Sequence, residues 1–112
     1  MTVKTGEILY NTLAEELSSH PTTTISSMFG MPCLKVKGKA FASLWKNSLV
    51  IKVGQPRVQA LLKAKTGLPF DPSGLNRPMK EWVMVPLPAT NATKKWLALA
   101  HEARTFVESQ LK

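Results

Sequence analysis

The chain has 112 residues, room for one domain over residues 1–112 and one core, and 44% hydrophobic residues is too many for a disordered chain. A single cysteine, Cys33, excludes an intrachain disulfide, and no apolar run has the length of a signal peptide or a transmembrane helix. The expectation is a soluble cytoplasmic protein with no membrane contact and a net charge of +8.

Taken in chain order, Thr5 caps a first helix with Glu7 in its first turn, where the helix dipole favours an acid. Leu9, Leu13 and Leu17 form its apolar stripe, which Ile8 widens, and Pro21 ends it with His20 at the C-terminus. A β-favouring run starts at Thr22 and leads to the punctuation of Met28-Phe29-Gly30-Met31-Pro32. Cys33 to Lys37 alternates, with Leu34 and Val36 on one face and Lys35 and Lys37 on the other. Gly38 marks a turn, Ala40 to Trp45 returns, and Asn47-Ser48 marks a second turn before Leu49 to Val53. Turns this short require an antiparallel meander.

Pro56 suits the first turn of a second helix that buries Val58, Leu61 and Leu62 and stops at Gly67. Leu68 to Met79 holds Pro69, Pro72, Gly74 and Pro78 and reads as a loop or a broken edge strand. Lys80 to Val85 is a further strand. Asn91 or Thr93 caps a third helix with a broad stripe of Trp96, Leu99, Ala100, Ala103, Phe106, Val107 and Leu111. The order α-β-β-β-α-β-α predicts an α+β domain, an antiparallel sheet of about five strands flanked by three helices, mainly on one face. The expected core contains Leu13, Leu17, Leu34, Val36, Leu49, Ile51, Leu61, Trp96, Ala103 and Val107. Leu49–Ile51 and Trp82–Val85 are apolar on both faces, so the second face of the sheet needs a cover, from a helix or from another subunit. A homodimer through that face or through an edge strand is the expectation.

The charge is uneven. Between Glu16 and Asp71 there is no acid, and Lys35, Lys37, Lys39, Lys46, Lys52, Arg57, Lys63 and Lys65 carry the whole excess. Alternation places Lys35, Lys37 and Lys52 in one stripe across the sheet, and Phe41 and Trp45 flank Lys39 and Lys46 in the same hairpin. A stripe of this kind, with Lys35, Lys37, Lys39, Lys46, Lys52 and Arg57 as its candidate anion contacts, would bind nucleic acid weakly and without sequence preference. The plainer reading is a solvated face whose lysines keep strand edges from pairing.

A catalytic reading would begin from Cys33, His20 and His101, but no spacing joins them as nucleophile, base and orienter, and they make a poor zinc site. No glycine-rich phosphate loop is present. The expectation is no enzyme, no metal and no cofactor. The segment Asp71 to Trp82 is the most distinctive stretch. It reads as a loop locked by prolines and docked by Met79 and Trp82, with Glu81 in a salt bridge.

Met28-Phe29-Gly30, Gly38-Lys39-Ala40-Phe41-Ala42, Leu49-Val50-Ile51-Lys52-Val53, Phe70-Asp71, Arg77-Pro78-Met79-Lys80-Glu81-Trp82-Val83 and Val85-Pro86 follow one another in an order and spacing that resembles the TfoX N-terminal-domain-like family. The likeness covers nearly the whole chain. It implies an antiparallel sheet with flanking helices, similar to the secretion-chaperone-like fold. The motif residues it singles out are Met28, Phe29, Gly30, Lys39, Phe41, Arg77, Met79, Glu81 and Trp82. Met31 stands where many members have glycine. The family is named for a regulator of bacterial natural competence in which this domain precedes a second one, and here a stand-alone domain is expected. The resemblance brings no catalytic residues. It implies a non-catalytic binding or regulatory module acting through an unidentified protein partner, with nucleic acid as the alternative.

Overall fold

A computed structural model describes residues 5–19, 22–28, 31–45, 48–71, 80–87 and 91–110. In chain order they form α1 (Thr5–Leu17), β1 (Thr23–Met28), β2 (Met31–Val36), β3 (Lys39–Trp45), β4 (Ser48–Lys52), α2 (Gln55–Lys63), β5 (Leu68–Pro69), β6 (Trp82–Pro86) and α3 (Ala92–Ser109). The strands make one antiparallel sheet in the order β1-β2-β3-β4-β6-β5. The α+β class holds. The order differs from α-β-β-β-α-β-α: four strands rather than three lie between α1 and α2, and two rather than one between α2 and α3, where β5, two residues inside the Pro-rich stretch, pairs to β6 at Met84 and Val83.

All three helices feed one core. Leu34, Val36, Ala42, Leu49, Ile51, Val83 and Val85 project from one face of the sheet onto Leu13 and Leu17 of α1, Val58 and Leu61 of α2, and Trp96, Ala100, Ala103 and Val107 of α3. Every residue of the expected core is buried. On α1 the stripe is rotated from the expected one. Tyr10, Leu13, Ala14 and Leu17 point inward, spaced i, i+3, i+4, i+7, while Ile8 is 53% exposed. The helix ends at Leu17, four residues before Pro21, and the hydroxyls of Ser18 and Ser19 donate to the carbonyls of Glu15 and Glu16 just beyond its end. His20 and Pro21 lie outside the described residues.

Two turns depart from the expected chemistry. The helix α2 gives way at Ala64 and Lys65, and it is Lys65, with φ 59°, rather than Gly67 that takes the left-handed conformation. Gly67 is required for a different reason: a Cβ there would collide with Val83 Cγ2. At the start of α3, Asn91 occupies the cap position in the left-handed region that asparagine tolerates, but its side chain makes no capping bond.

The β2–β3 hairpin turns through Lys37 and Gly38, both with positive φ, which is the type I′ pattern that matches strand twist. A bulge then interrupts the register: Leu34 pairs with Ala42 and Lys35 with Ala40, leaving Phe41 as the extra residue. Phe41 and Ala42 therefore both enter the helix-side core, and Trp45 falls on the other face.

The opposite face is also closed. Val50, Trp82, Met31 and Phe70 form a second buried cluster, with Ala40, Trp45 and Met84 packed against it. Phe70 follows directly on β5, and its ring lies 6.1 Å from Trp45 in an edge-on contact and 6.4 Å from Trp82. The cover that the two-sided strands required comes from the chain itself, and among the described residues it centres on Phe70, which belongs to no helix.

Candidate functional site

The basic residues divide by position in the sheet. Lys35 and Lys52 lie on the Phe70 face, and the register places both at the end where the β2–β3 turn sits, two strands apart across Ala40, a span of about 10 Å. Lys39 is exposed where β3 leaves the same turn. Lys37 is not on the stripe. Its strand ends at Val36, and Lys37 occupies the turn itself, exposed. Arg57 belongs to α2, where its Nε donates to Glu102 Oε2 of α3 at 2.7 Å. Lys46 lies outside the described residues. So Lys35, Lys37, Lys39 and Lys52 share one end of the sheet, while Arg57 is engaged between helices.

That end is not purely basic. Lys52 Nζ lies 3.7 Å from Glu81 Oε1, with the two side chains 29% and 47% exposed. The bridge expected at Glu81 is therefore made, to Lys52 on the neighbouring strand. Glu81 does more through its backbone. Its carbonyl accepts the N–H groups of Val53 (3.0 Å) and Gly54 (3.2 Å), tying the end of β4 and the start of α2 to the entry of β6. Gly54, with φ 86°, leaves no room for a Cβ, which would lie 2.8 Å from the Phe106 ring.

The other motif residues are structural where they can be seen. Phe41 and Trp82 are buried, one in each core cluster, and Met28 closes β1. Phe29, Gly30, Arg77 and Met79 lie outside the described residues, so the docking assigned to Met79 is not visible. Trp82 packs beside Phe70, and the loop it was expected to dock lies outside the described residues.

Cys33 and His101 are separated by the sheet. Cys33 sits on the Phe70 face of β2, fully buried, and burial raises its pKa above the ordinary thiol value. His101 is exposed on α3, packed on the opposite face, and lines a surface hollow of about 520 Å³ with Glu102 and Phe106. Among the described residues there is no group of three or more His, Cys, Asp or Glu side chains placed to hold a metal, and no helix is long and apolar enough to cross a membrane. The buried hydroxyl of Ser43 donates to Pro32 O at 2.7 Å, serving a strand position that lacks an N–H.

A feature that sequence reading missed is the outer edge at β1. This strand has six residues, TTISSM, with no charge and no proline, and Ile25 at its middle is 62% exposed. Its first residues are anchored from α3: Arg104 donates to Thr22 Oγ1 at 2.7 Å and to Thr23 Oγ1 at 2.8 Å, and pairs with Glu108 at 3.4 Å. The sequence signal was present in the absence of the lysine or proline that usually guards an edge.

Comparison with family models matches the TfoX N-terminal domain over residues 15–107. The chain belongs to that family. The match takes in every described element from the C-terminal part of α1 to most of α3, so the two-sided sheet, the bulge and the Glu81 tie all fall within the matched span. No curated protein and no solved structure matches the chain.

Proposed function

We propose that this TfoX N-terminal domain is a non-catalytic binding or regulatory module that works through protein contacts, as a homodimer. The observation that carries the reading is where the distinctive residues go. Phe41 and Trp82 build the two cores, and Glu81 ties β4, α2 and β6 together, so these three described residues of the family's signature serve the scaffold. What the scaffold leaves outside is an edge strand and a basic end. A regulatory role fits the family for which the domain is named. Light scattering over a range of concentrations tests the assembly: twice the 12.4 kDa of one chain is expected, and a monomer at high concentration contradicts it.

The second reading is nucleic-acid binding, favoured by the placement of Lys35, Lys37, Lys39 and Lys52 at one end of the sheet. Binding of this kind is weak, indifferent to sequence and steeply reduced by salt. The test is a titration of labelled duplex and single-stranded DNA at two salt concentrations, with wild type and a Lys35→Glu/Lys37→Glu/Lys52→Glu variant. Salt-sensitive binding lost in the variant supports this reading. No binding at low salt leaves the charge as a solvated face.

A further inference from the structure

The two edges of the sheet are unlike. The β5 edge is two residues long and runs into Phe70, which is buried. The β1 edge is six residues long and uncharged in a chain of net charge +8. Which backbone groups it offers follows from the register. Thr23 pairs with Val36, so Thr22 faces Lys37, and the Lys37 N–H donates to the Thr22 carbonyl at 2.9 Å. Antiparallel ladders alternate between bonded and non-bonded pairs. The bonded pairs of β1 and β2 are therefore Thr24 with Lys35 and Ser26 with Cys33. Pro32, which has no N–H to give, falls opposite Ser27 at a non-bonded position, as the alternation requires. The N–H and C=O groups of Thr23, Ile25 and Ser27 consequently point away from β2.

Thr23 is buried beneath Arg104, but Ile25 and Ser27 are exposed. The accessible part of the edge is thus symmetric about Ser26, with one outward-facing residue on either side.

We propose that two copies of this chain join β1 to β1 in antiparallel fashion about a two-fold axis at Ser26, making one continuous sheet across both. Ile25 of each copy then exchanges backbone hydrogen bonds with Ser27 of the other, so that the exposed outward groups of both strands are satisfied. A second copy fits this edge because a two-fold requires a self-complementary strand, and this one is neutral at the contact. Two chains of net charge +8 repel wherever lysines meet, and β1 has none. The inference rests on the homodimer reading above and adds its surface and register.

The variants that test it leave the chain's own ladder intact. Ser27→Pro removes an N–H that points outward, and Ile25→Lys places a charge on an exposed position of the edge. Circular dichroism and a thermal melt confirm that each still folds. In sedimentation equilibrium the wild type is expected at twice the mass of one chain, and both variants at the mass of one. Hydrogen exchange adds a residue-level reading: the amides of Ile25 and Ser27 should be protected in the wild type and lose that protection on dilution. A wild-type dimer that survives both variants overturns the edge inference while leaving the homodimer reading in place. A monomeric wild type overturns both. Dilution-independent protection at Ile25 and Ser27 also counts against a second copy, because it places the cover within the chain.

Discussion

The helix-side face of the sheet is closed by three helices, with Trp96, Ala100 and Ala103 of α3 and Leu13 and Leu17 of α1 spread along it, whereas among the described residues the opposite face is closed around Phe70, which belongs to no helix. The first kind of closure is distributed, and each truncation leaves many neighbours in place. The second concentrates on a single ring between two indoles. With a buried cluster on each face, the edges and ends of the sheet are what its strands leave open. This moves the expected homodimer away from the second face, whose apolar residues were its original motive, and toward the edge at β1.

The comparison makes its largest claim at the helix-side core. Truncating Leu17 or Ile51 to alanine should cost about 2–5 kcal/mol, and Trp96 to alanine about 3–5 kcal/mol, read as a lowered denaturant midpoint. A neutral effect at any of the three would mean that the faces are wrongly assigned. Phe70→Ala should cost about 3 kcal/mol, the low end for a buried phenylalanine. It should also do what the helix-side truncations do not: uncover Val50, Trp82 and Met31 together, seen as increased binding of an apolar dye by a protein that still melts cooperatively. A Phe70→Ala protein with unchanged stability and no dye binding would show that another part of the chain covers this face.

The buried titratable groups sharpen the contrast from both sides. Tyr10 on the helix side has its hydroxyl buried with no hydrogen-bond partner among the described residues, and desolvation raises its pKa. Cys33 on the Phe70 side is raised by the same cause. For both, the folded state holds the proton more tightly than the unfolded state. Above the unfolded pKa the unfolded chain therefore binds fewer protons, and stability falls as pH rises. Through these two groups unfolding free energy should decline above about pH 8.5 as the cysteine ionises in the unfolded chain, and decline further above about 10 with the tyrosine. Cys33→Ala should remove the first decline and leave the second. The smallest effect belongs to the exposed pair at the basic end. Glu81→Gln removes the Lys52 bridge and keeps the carbonyl tie to Val53 and Gly54, so it should cost at most about 1 kcal/mol and lose even that at high salt.

Particular residues show what the sequence made legible. The alternation at Leu34 and Val36 and at Leu49 and Ile51, and the helical stripe of Trp96, Ala100, Ala103 and Val107, are local periodicities, and each lands in the core as read. Phe41 and Trp45 fall on opposite faces because a bulge shifts register by one residue, and nothing in a short apolar run marks where the shift falls. Ile8 and Tyr10 exchanged roles because both suit a helix stripe one residue wider, and only the shape of the opposing layer decides between them. The cover over the second face was inferred as necessary from Val50 and Met84, but its source, Phe70, is brought there by pairing between β5 and β6 that local pattern does not encode. At the candidate site, alternation placed Lys35 and Lys52 correctly. It failed at Lys37, which adopts a left-handed turn conformation uncommon for lysine, and it could not name Lys52 as the partner of Glu81 across 29 positions of sequence.

The claim on which the rest depends is that the chain covers its own second face, and the labelling rate of Cys33 by a small thiol reagent tests it most directly. Cys33 lies on that face, is fully buried and is the only thiol in the chain, so the signal has one source. Burial and a raised pKa both slow the reaction, since the thiolate is the nucleophile. The expected result is slow labelling at native pH, with a rate that does not change as the protein is diluted through the range in which the proposed dimer would dissociate, and rapid labelling in denaturant. Protection that fades on dilution would assign the cover to a second copy and contradict the account, as would fast labelling at every concentration.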